Sequence, residues 1–379
     1  MSEVRHARRL TDMSQHSAAP RLDPARTWTV LVGVLEWTSS AYKRFPKHSR
    51  QDVVFDQTLK AWGVPDRQRR LLLDGEATKS AIVDALRDTV RAARPGDTVV
   101  FYYAGHGSGP ATDASLAPYD ADFDTRSSIL RVDELASILS SLRSASVLLT
   151  ADCCFSGALA SAAAKLNVQG IPAAVLASVD GSRSTSNWTF TRALVDAFAG
   201  RAFVDHDGDG VVSLADVARE ASVALRARDV QRAHASWFGL PPELRIAPVV
   251  AETMPPLGWC EARNGKSWLP SRVIGRRGEK LLVRRCTPAS TRFLTLPATD
   301  VRELRALPTF PVGALVWATP MSRGEAWPAE VLAVDAGFHL VDCGPEWDSR
   351  WREWLPAQRL ALRARASSSK KRDINQRYW

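Results

Sequence analysis

Short apolar runs alternate with longer stretches of mixed polarity over residues 27–248. The runs at 29–35, 70–73, 98–103, 147–150 and 174–177 are apolar almost throughout. They lack the alternation of a half-exposed strand, so each predicts a strand buried on both faces. Between them the pattern predicts helices. One covers 51–62 and is ended by Gly63 and Pro65. A second covers 78–93, with Thr78 as its N-cap and Pro95-Gly96 as its stop. A third lies at about 132–142. Strand and helix in alternation predict an α/β fold, a mostly parallel sheet with helices on both faces. The ligand crevice of such a sheet lies at the carboxyl ends of its strands.

The pattern changes after residue 254. Residues 255–379 hold eight of the thirteen Trp, several Pro and short strand-like runs, which predicts a small all-β region. There is an internal repeat. Trp259-Cys260-Glu261-Ala262 followed by Trp268 to Ile274 recurs as Trp317-Ala318-Thr319-Pro320 followed by Trp327 to Leu332. The offset of 58–59 residues suits a small barrel module. Two modules are expected, at 255–307 and 308–364, with a basic tail at 365–379. At the other end, residues 1–26 are polar and rich in Arg, His and Ser, and read as a disordered leader without the apolar core of a secretory signal.

Composition changes this picture little. A chain of 379 residues can hold two or three domains, and 45% hydrophobic with 24% charged residues is ordinary for globular protein. No apolar run is long enough to span a bilayer, so no membrane partner is expected. The net charge of +9 is uneven: residues 251–379 hold 21 Lys/Arg against 13 Asp/Glu. A solvated basic surface is the simpler reading, and an anionic partner the sharper one. Cys153, Cys154, Cys260, Cys286 and Cys343 lack zinc-ligand spacing. Cys153 and Cys154 are adjacent and would make a strained pair, so a reducing, cytoplasmic setting is expected.

Two segments carry chemistry. Phe101-Tyr102-Tyr103-Ala104-Gly105-His106-Gly107 and Asp152-Cys153-Cys154-Phe155-Ser156-Gly157 each follow an expected strand. A thiol needs a base beside it to be a strong nucleophile near neutral pH. A small residue after each lets backbone approach a substrate carbonyl. A lone His is more often a buried structural residue; the cysteine segment changes that reading. Successive strand residues face opposite ways, so only one of the two thiols can face the cleft.

The pair of segments resembles the caspase-like cysteine peptidases, in their bacterial metacaspase-like (orthocaspase) branch, over about 27–250. Val32-Gly33-Val34, Leu116 to Asp120 and Asn187 to Thr191 add to the resemblance. It implies an endopeptidase in which Cys154 is the nucleophile and His106 the general base. It also implies an oxyanion hole from the N–H groups of Gly107 and Cys154, with no cofactor required for the chemistry. Asp152 matches a position whose carboxylate lies in the specificity pocket, which implies protein or peptide substrates cleaved after Arg or Lys. The family has a second acidic pocket residue, for which Glu36 is the nearest candidate. Cys153 then reads as a small buried hydrophobe. A polar stretch around Arg183 offers a position for self-cleavage. The alternative is a catalytically silent caspase-like scaffold that acts as a binding module.

Residues 205–216 read as an EF-hand-type loop. Asp205, Asp207 and Asp209 stand at positions one, three and five, and Gly210 at six. Val211 offers its carbonyl, and Ser213 and Asp216 complete the set. Asp rather than Glu at position twelve weakens calcium and admits magnesium. The alternative is an Asp/Gly-rich turn and helix cap without metal. The C-terminal repeats resemble tandem Tudor or Agenet-type barrels of SH3-like build. That implies a protein partner, with Trp347 or Trp351 on a binding face and the other Trp residues in small cores. Nucleic acid is the weaker alternative, through Arg272, Arg276, Arg277, Lys280, Arg284 and Arg285.

Overall fold

The five expected apolar runs are neighbours in one sheet. In the computed structural model the described residues are all but 1–19, 48–49, 110–112, 180–187, 229–230, 251–258, 286–292, 304–307, 320–324, 336–337, 344–351 and 364–379. Arg183, Trp347, Trp351 and the basic tail therefore lie outside the described residues. The chain divides into two units, Met1–Ala221 with Ala233–Pro256, and Ser222–Arg232 with Leu257–Trp379.

The first unit opens with β1 (Thr27–Gly33), α1 (Gln51–Trp62), β2 (Arg69–Leu73), α2 (Lys79–Ala92) and β3 (Thr98–Ala104). Three two-residue strands follow, β4 (Gly107–Ser108), β5 (Ser115–Leu116) and β6 (Leu130–Arg131), and then α3 (Val132–Leu139). Next come β7 (Ser146–Asp152), α4 (Leu159–Val168), β8 (Ala173–Ala177) and α5 (Thr189–Phe198). The last elements are β9 (Val211–Ser213), α6 (Leu214–Arg228), which from Ser222 on counts with the second unit, β10 (His234–Phe238) and β11 (Arg245–Pro248).

The central sheet has the order β10-β8-β7-β3-β1-β2. Its pairs are parallel except β10 against β8. One face carries Val30, Val32, Phe101, Tyr103, Leu149 and Ala151, packed with Ile82 and Leu86 of α2, Leu135 and Leu139 of α3, and Leu166 of α4. On the other face Phe55 of α1 meets Tyr102 edge-on at 5.4 Å and Phe198 of α5 at 5.5 Å. Apolar cover on both sides is why these strands read as continuous hydrophobic runs. The helix boundaries also have local causes. Gly63 ends α1 in the left-handed region at φ 114°, its N–H reaching Leu59 and Lys60 carbonyls. Thr78 caps α2 by accepting from Ala81 N–H.

Residues 20–26, assigned to a free leader by their polarity, are instead part of this unit. Leu22 is buried and its N–H donates to the Arg245 carbonyl at 2.8 Å, while Asp23 caps the 3-10 turn Pro24–Arg26. One buried apolar side chain, beside the β-bridge of Arg21 with Arg245, anchors what composition alone suggests is loose. Among the described residues no helix is long and apolar enough to cross a membrane.

The second unit realises the internal repeat. Its first sheet comprises β12 (Trp259–Asn264), β13 (Ser267–Arg277), β14 (Lys280–Arg285), β15 (Phe293–Pro297) and β16 (Val301–Glu303). Its second comprises β17 (Leu315–Ala318), β18 (Trp327–Asp335), β19 (Phe338–Asp342), β20 (Arg352–Pro356) and β21 (Leu360–Leu362). Both are antiparallel, with the equivalent orders β15-β14-β13-β12-β16 and β20-β19-β18-β17-β21. Each has a bulge at the same place, between Val273 and Gly275 and between Val331 and Ala333. In the first sheet Arg272 is fully buried, which removes it from any phosphate-binding surface. Its strand position turned it inward, where the cation-rich spacing had suggested an outward face.

In the second sheet His339 is fully buried, and its Nε2 accepts the N–H of Phe310 at 2.9 Å. Accepting there requires a neutral ring, and burial holds its pKa below the usual 6.5, against a raising contact from the Leu355 backbone. A depressed folded pKa gives stability that is complete above about 6.5 and is lost as pH falls through the lower, folded value. Urea unfolding of the second unit from pH 8 to 5 should therefore weaken by about 1.4 kcal/mol per unit of depression. His339→Gln, which keeps an acceptor but does not titrate, should flatten that slope; identical slopes for both proteins would refute it.

Candidate active site

Register places the two chemical segments side by side. Gly33, Ala104 and Asp152 form one row across β1, β3 and β7, since Gly33 pairs with Ala104 and Ala104 with Asp152. His106 and Cys154 each stand two residues beyond that row. The chains remain in contact there. A Cβ added to Gly107 would lie 2.2 Å from the Cys154 carbonyl oxygen and 3.1 Å from the Cys153 Sγ. Gly107 is therefore a packing requirement of this juncture, and no larger residue fits. Beneath it, the Tyr103 hydroxyl lies 2.9 Å from both the His106 and Ala117 carbonyls and accepts the Ala117 N–H.

The segment after β1 builds a cradle for the imidazole. Ring centroids of Trp37, Phe45 and Tyr42 lie 4.5, 4.6 and 5.5 Å from that of His106. Trp37 is fixed by its own Nε1–H, which donates to the Ala117 carbonyl at 2.9 Å. The His106 Nε2 lies 2.8 Å from the Lys43 carbonyl oxygen. A carbonyl only accepts, so Nε2 carries the proton, and in the neutral ring Nδ1 keeps the lone pair. Burial among these rings holds the His106 pKa below 6.5, with the Lys43 carbonyl opposing the shift. The ring is thus neutral at pH 7, the state a general base requires.

The two cysteines differ sharply. Cys153 is 1% exposed, on the sheet face that packs α2, α3 and α4, with Gly107 against its sulfur. Burial pushes its thiol pKa well up, with the neighbouring Cys154 and Asp152 adding to the shift. It is an inert thiol. Cys154 is half-buried and precedes Phe155, which turns left-handed at φ 57° into the short helical turn Ser156–Ala158. That turn is tied down by Gly157 N–H to the Val179 carbonyl at 3.0 Å and by Val179 N–H to Ser156 Oγ at 3.2 Å.

Below Cys154, Asp152 is buried and accepts both the N–H and the hydroxyl of Thr191, at 3.2 and 2.7 Å, in the first turn of α5. The Tyr102 hydroxyl joins the same Thr191 oxygen at 2.7 Å. Glu36 is engaged elsewhere: its carboxylate binds Lys47 Nζ at 2.7 Å. Sequence reasoning missed another carboxylate. Asp52, in the first turn of α1, is fully buried over Gly33, where a Cβ would collide with its Oδ2 at 1.9 Å. Burial raises the Tyr102 pKa, and the Asp152 and Asp52 carboxylates raise it further, so both act on one hydroxyl. The available signal was a glycine at the end of β1 facing an acidic helix start. Arg50 covers Asp52, with Nη2 2.7 Å from its Oδ2.

The loop at 205–216 is pre-arranged. Asp205 accepts the N–H groups of Gly208 and Gly210 at 2.8 and 2.9 Å. Asp207 accepts from Asp209 N–H at 3.2 Å, and Asp209 from Val211 N–H at 2.9 Å. Asp216 closes the loop by accepting from His206 N–H at 3.0 Å and from Ser213 N–H at 2.9 Å. Carboxylate oxygens of Asp205, Asp207 and Asp209 come within 4.8 Å of one another, close enough to share one divalent cation. Arg245 lies 3.6 Å from Asp209 and offsets part of their repulsion.

Residues 51–162 match the family model for the metacaspase, peptidase C14 domain. No curated protein matches the chain. Among solved structures, the Drosophila initiator caspase Dronc is similar at 9% identity, covering 62% of this chain and 89% of its own, with a TM-score of 0.42. Caspase-1 from Spodoptera frugiperda is similar at 12% identity, covering 62% and 96%, with a TM-score of 0.42. Arabidopsis thaliana AGDP1 AGD34 matches at 17% identity over 28% of this chain and 79% of its own, with a TM-score of 0.13. The first unit is thus similar, over residues 51–162, to the metacaspase peptidase C14 domain.

Gly107→Ala tests the juncture directly. The new methyl must separate the two segments, at a cost of about 1–3 kcal/mol. A lowered unfolding midpoint of the first unit is expected; an unchanged one would mean that Gly107 and Cys154 do not touch.

Proposed function

We propose that the chain is a cysteine endopeptidase that cleaves proteins after Arg or Lys through Cys154 and His106. The observation that supports this most is the neutral, cradled His106 standing at the same offset as Cys154 from the Ala104–Asp152 pair. The Cys154 thiol gives its proton to His106 Nδ1, and the thiolate attacks the scissile carbonyl. The N–H groups of Gly107 and Cys154 stabilise the oxyanion. The imidazolium then protonates the leaving amine, and water, deprotonated by the same ring, hydrolyses the thioester. Asp152 provides the carboxylate that a basic side chain seeks, and two hydrogen bonds donated by Thr191 hold it in place.

The C-terminal sheets recognise a protein partner. Supporting this, Trp317 is 41% exposed with the Arg363 guanidinium 5.3 Å from its ring. Arg302 similarly stacks on Trp268 at 4.1 Å. The loop at 205–216 binds calcium or magnesium through Asp205, Asp207, Asp209, the Val211 carbonyl, Ser213 and Asp216. When bound, the cation neutralises the three clustered carboxylates. The protein works in the cytoplasm, where reducing conditions preserve the Cys154 thiol.

Fluorogenic peptides ending in Arg, Lys or Asp test the peptidase reading. Arg and Lys peptides should be turned over, Cys154→Ala should be inactive, and the acid limb of kcat/KM should have its midpoint below 6.5. Turnover after Asp alone would overturn the role of Asp152. No turnover with or without calcium would favour a silent scaffold.

Titration calorimetry tests the loop. Calcium or magnesium should bind the wild type and not Asp207→Ala. Absence of heat with both cations would leave a metal-free turn and helix cap.

A further inference from the structure

One carboxylate reaches both ends of the segment that cradles His106. Asp74 stands just past β2 at φ 44°, a left-handed conformation that Asp tolerates better than most residues. Its Oδ1 accepts the N–H of Leu35 at 2.8 Å, where the chain has just left β1. Its Oδ2 lies 3.1 Å from Lys47 Nζ and 2.6 Å from Arg50 Nη1, where the chain is about to enter α1. Between these pins the same segment supplies the Trp37, Tyr42 and Phe45 rings and the Lys43 carbonyl that surround the imidazole. A cross-brace from Phe45 N–H to the Leu35 carbonyl at 2.9 Å narrows the loop above the clasp.

The charged groups facing Asp74 are Lys47 and Arg50, with Glu36 and Asp52 behind them. Lys47 also binds Glu36 at 2.7 Å, and Arg50 also binds Asp52 and donates to the Gly33 carbonyl at 2.8 Å. Burial alone would raise the Asp74 pKa. The Leu35 N–H, Lys47 and Arg50 outweigh it and hold the carboxyl below its usual range. The geometry needs a carboxylate: one oxygen for an amide N–H and one for two cations. An amide in its place would turn either its oxygen away from Leu35 or its NH₂ toward Lys47 and Arg50.

We propose that Asp74 is a positioning residue that clasps the two ends of the loop following β1 and so fixes the tautomer and orientation of His106. This rests on the reading of His106 as the general base. It adds that the base is set by a carboxylate that need not touch substrate, through the Lys43 carbonyl and the aromatic cradle.

The test is long-range ¹⁵N–¹H NMR of the imidazoles of the full chain, alongside kinetics on an Arg-terminated peptide. In the wild type His106 should be a single neutral tautomer protonated on Nε2 at pH 7.5. In Asp74→Asn the two tautomers should mix, and the His106 titration should move up toward that of a free imidazole. In parallel kcat should fall about 100-fold, the scale of a small misplacement of a reacting group, with KM little changed. Lys47→Met, which removes one arm, should shift both readouts the same way and less, and it decides the matter if Asp74→Asn does not fold. Folded variants that keep the wild-type tautomer and pH profile would overturn the proposal. If the tautomer is lost in the variants but the wild type cleaves no peptide, the clasp stands and the peptidase reading falls.

Discussion

Parallel, in-register pairing of β3 with β7 is the constraint on which the site depends. Because Ala104 lies opposite Asp152, any two residues at equal offsets beyond them emerge together at one sheet edge. The covalent chain separates His106 from Cys154 by a whole strand–helix–strand crossover, yet the ladder brings their backbones together. A slip of one residue would turn Cys153 toward the cleft and bury Cys154. Register is protected against that slip because Leu149, Ala151 and Cys153 belong to a packed face shared with three helices. The hydrophobic core thus selects which of two identical thiols is accessible.

Ionic groups at the same sheet edge are arranged by burial. Asp52 and Asp152 lie on the α1 and α5 face, and each is satisfied within the protein, Asp52 by Arg50 and Asp152 by Thr191. Buried charges are sustained only when paired and hydrogen-bonded. Meeting that condition ties α1, α5 and the loop after β1 to the row Gly33, Ala104 and Asp152. At this row the scaffold is therefore polar on the α1 and α5 side, whereas deeper in the sheet both faces are apolar. The polar face is the one that requires a glycine at 33, since Asp52 occupies the space of a side chain there.

Much of this was legible in the chain itself. Strands covered on both sides must be apolar throughout, so β1, β3, β7 and β8 appear as runs, and Gly63 and Thr78 mark helix ends. The edge strand β10, half-exposed and polar at His234 and Ser236, has no such run. Helix α5 begins after Trp188, a left-handed residue at φ 57° whose side chain makes no capping hydrogen bond, so its start lacks the usual sequence signal. His106 and Cys154 carry side-chain chemistry that a motif can encode. The partner of His106 is a backbone carbonyl, which any residue at 43 would supply, so it leaves no trace in sequence. Glu36 drew attention by proximity along the chain, whereas burial singles out Asp52.

The second unit repeats one bend. In both of its sheets the second strand carries an extra residue at the equivalent step, between Val273 and Gly275 and between Val331 and Ala333. Such an insertion curves its strand and increases the local twist, as folding a small sheet over its own core requires. Duplication has thus copied the curvature along with the strands, and deleting one residue at either step would flatten that copy alone.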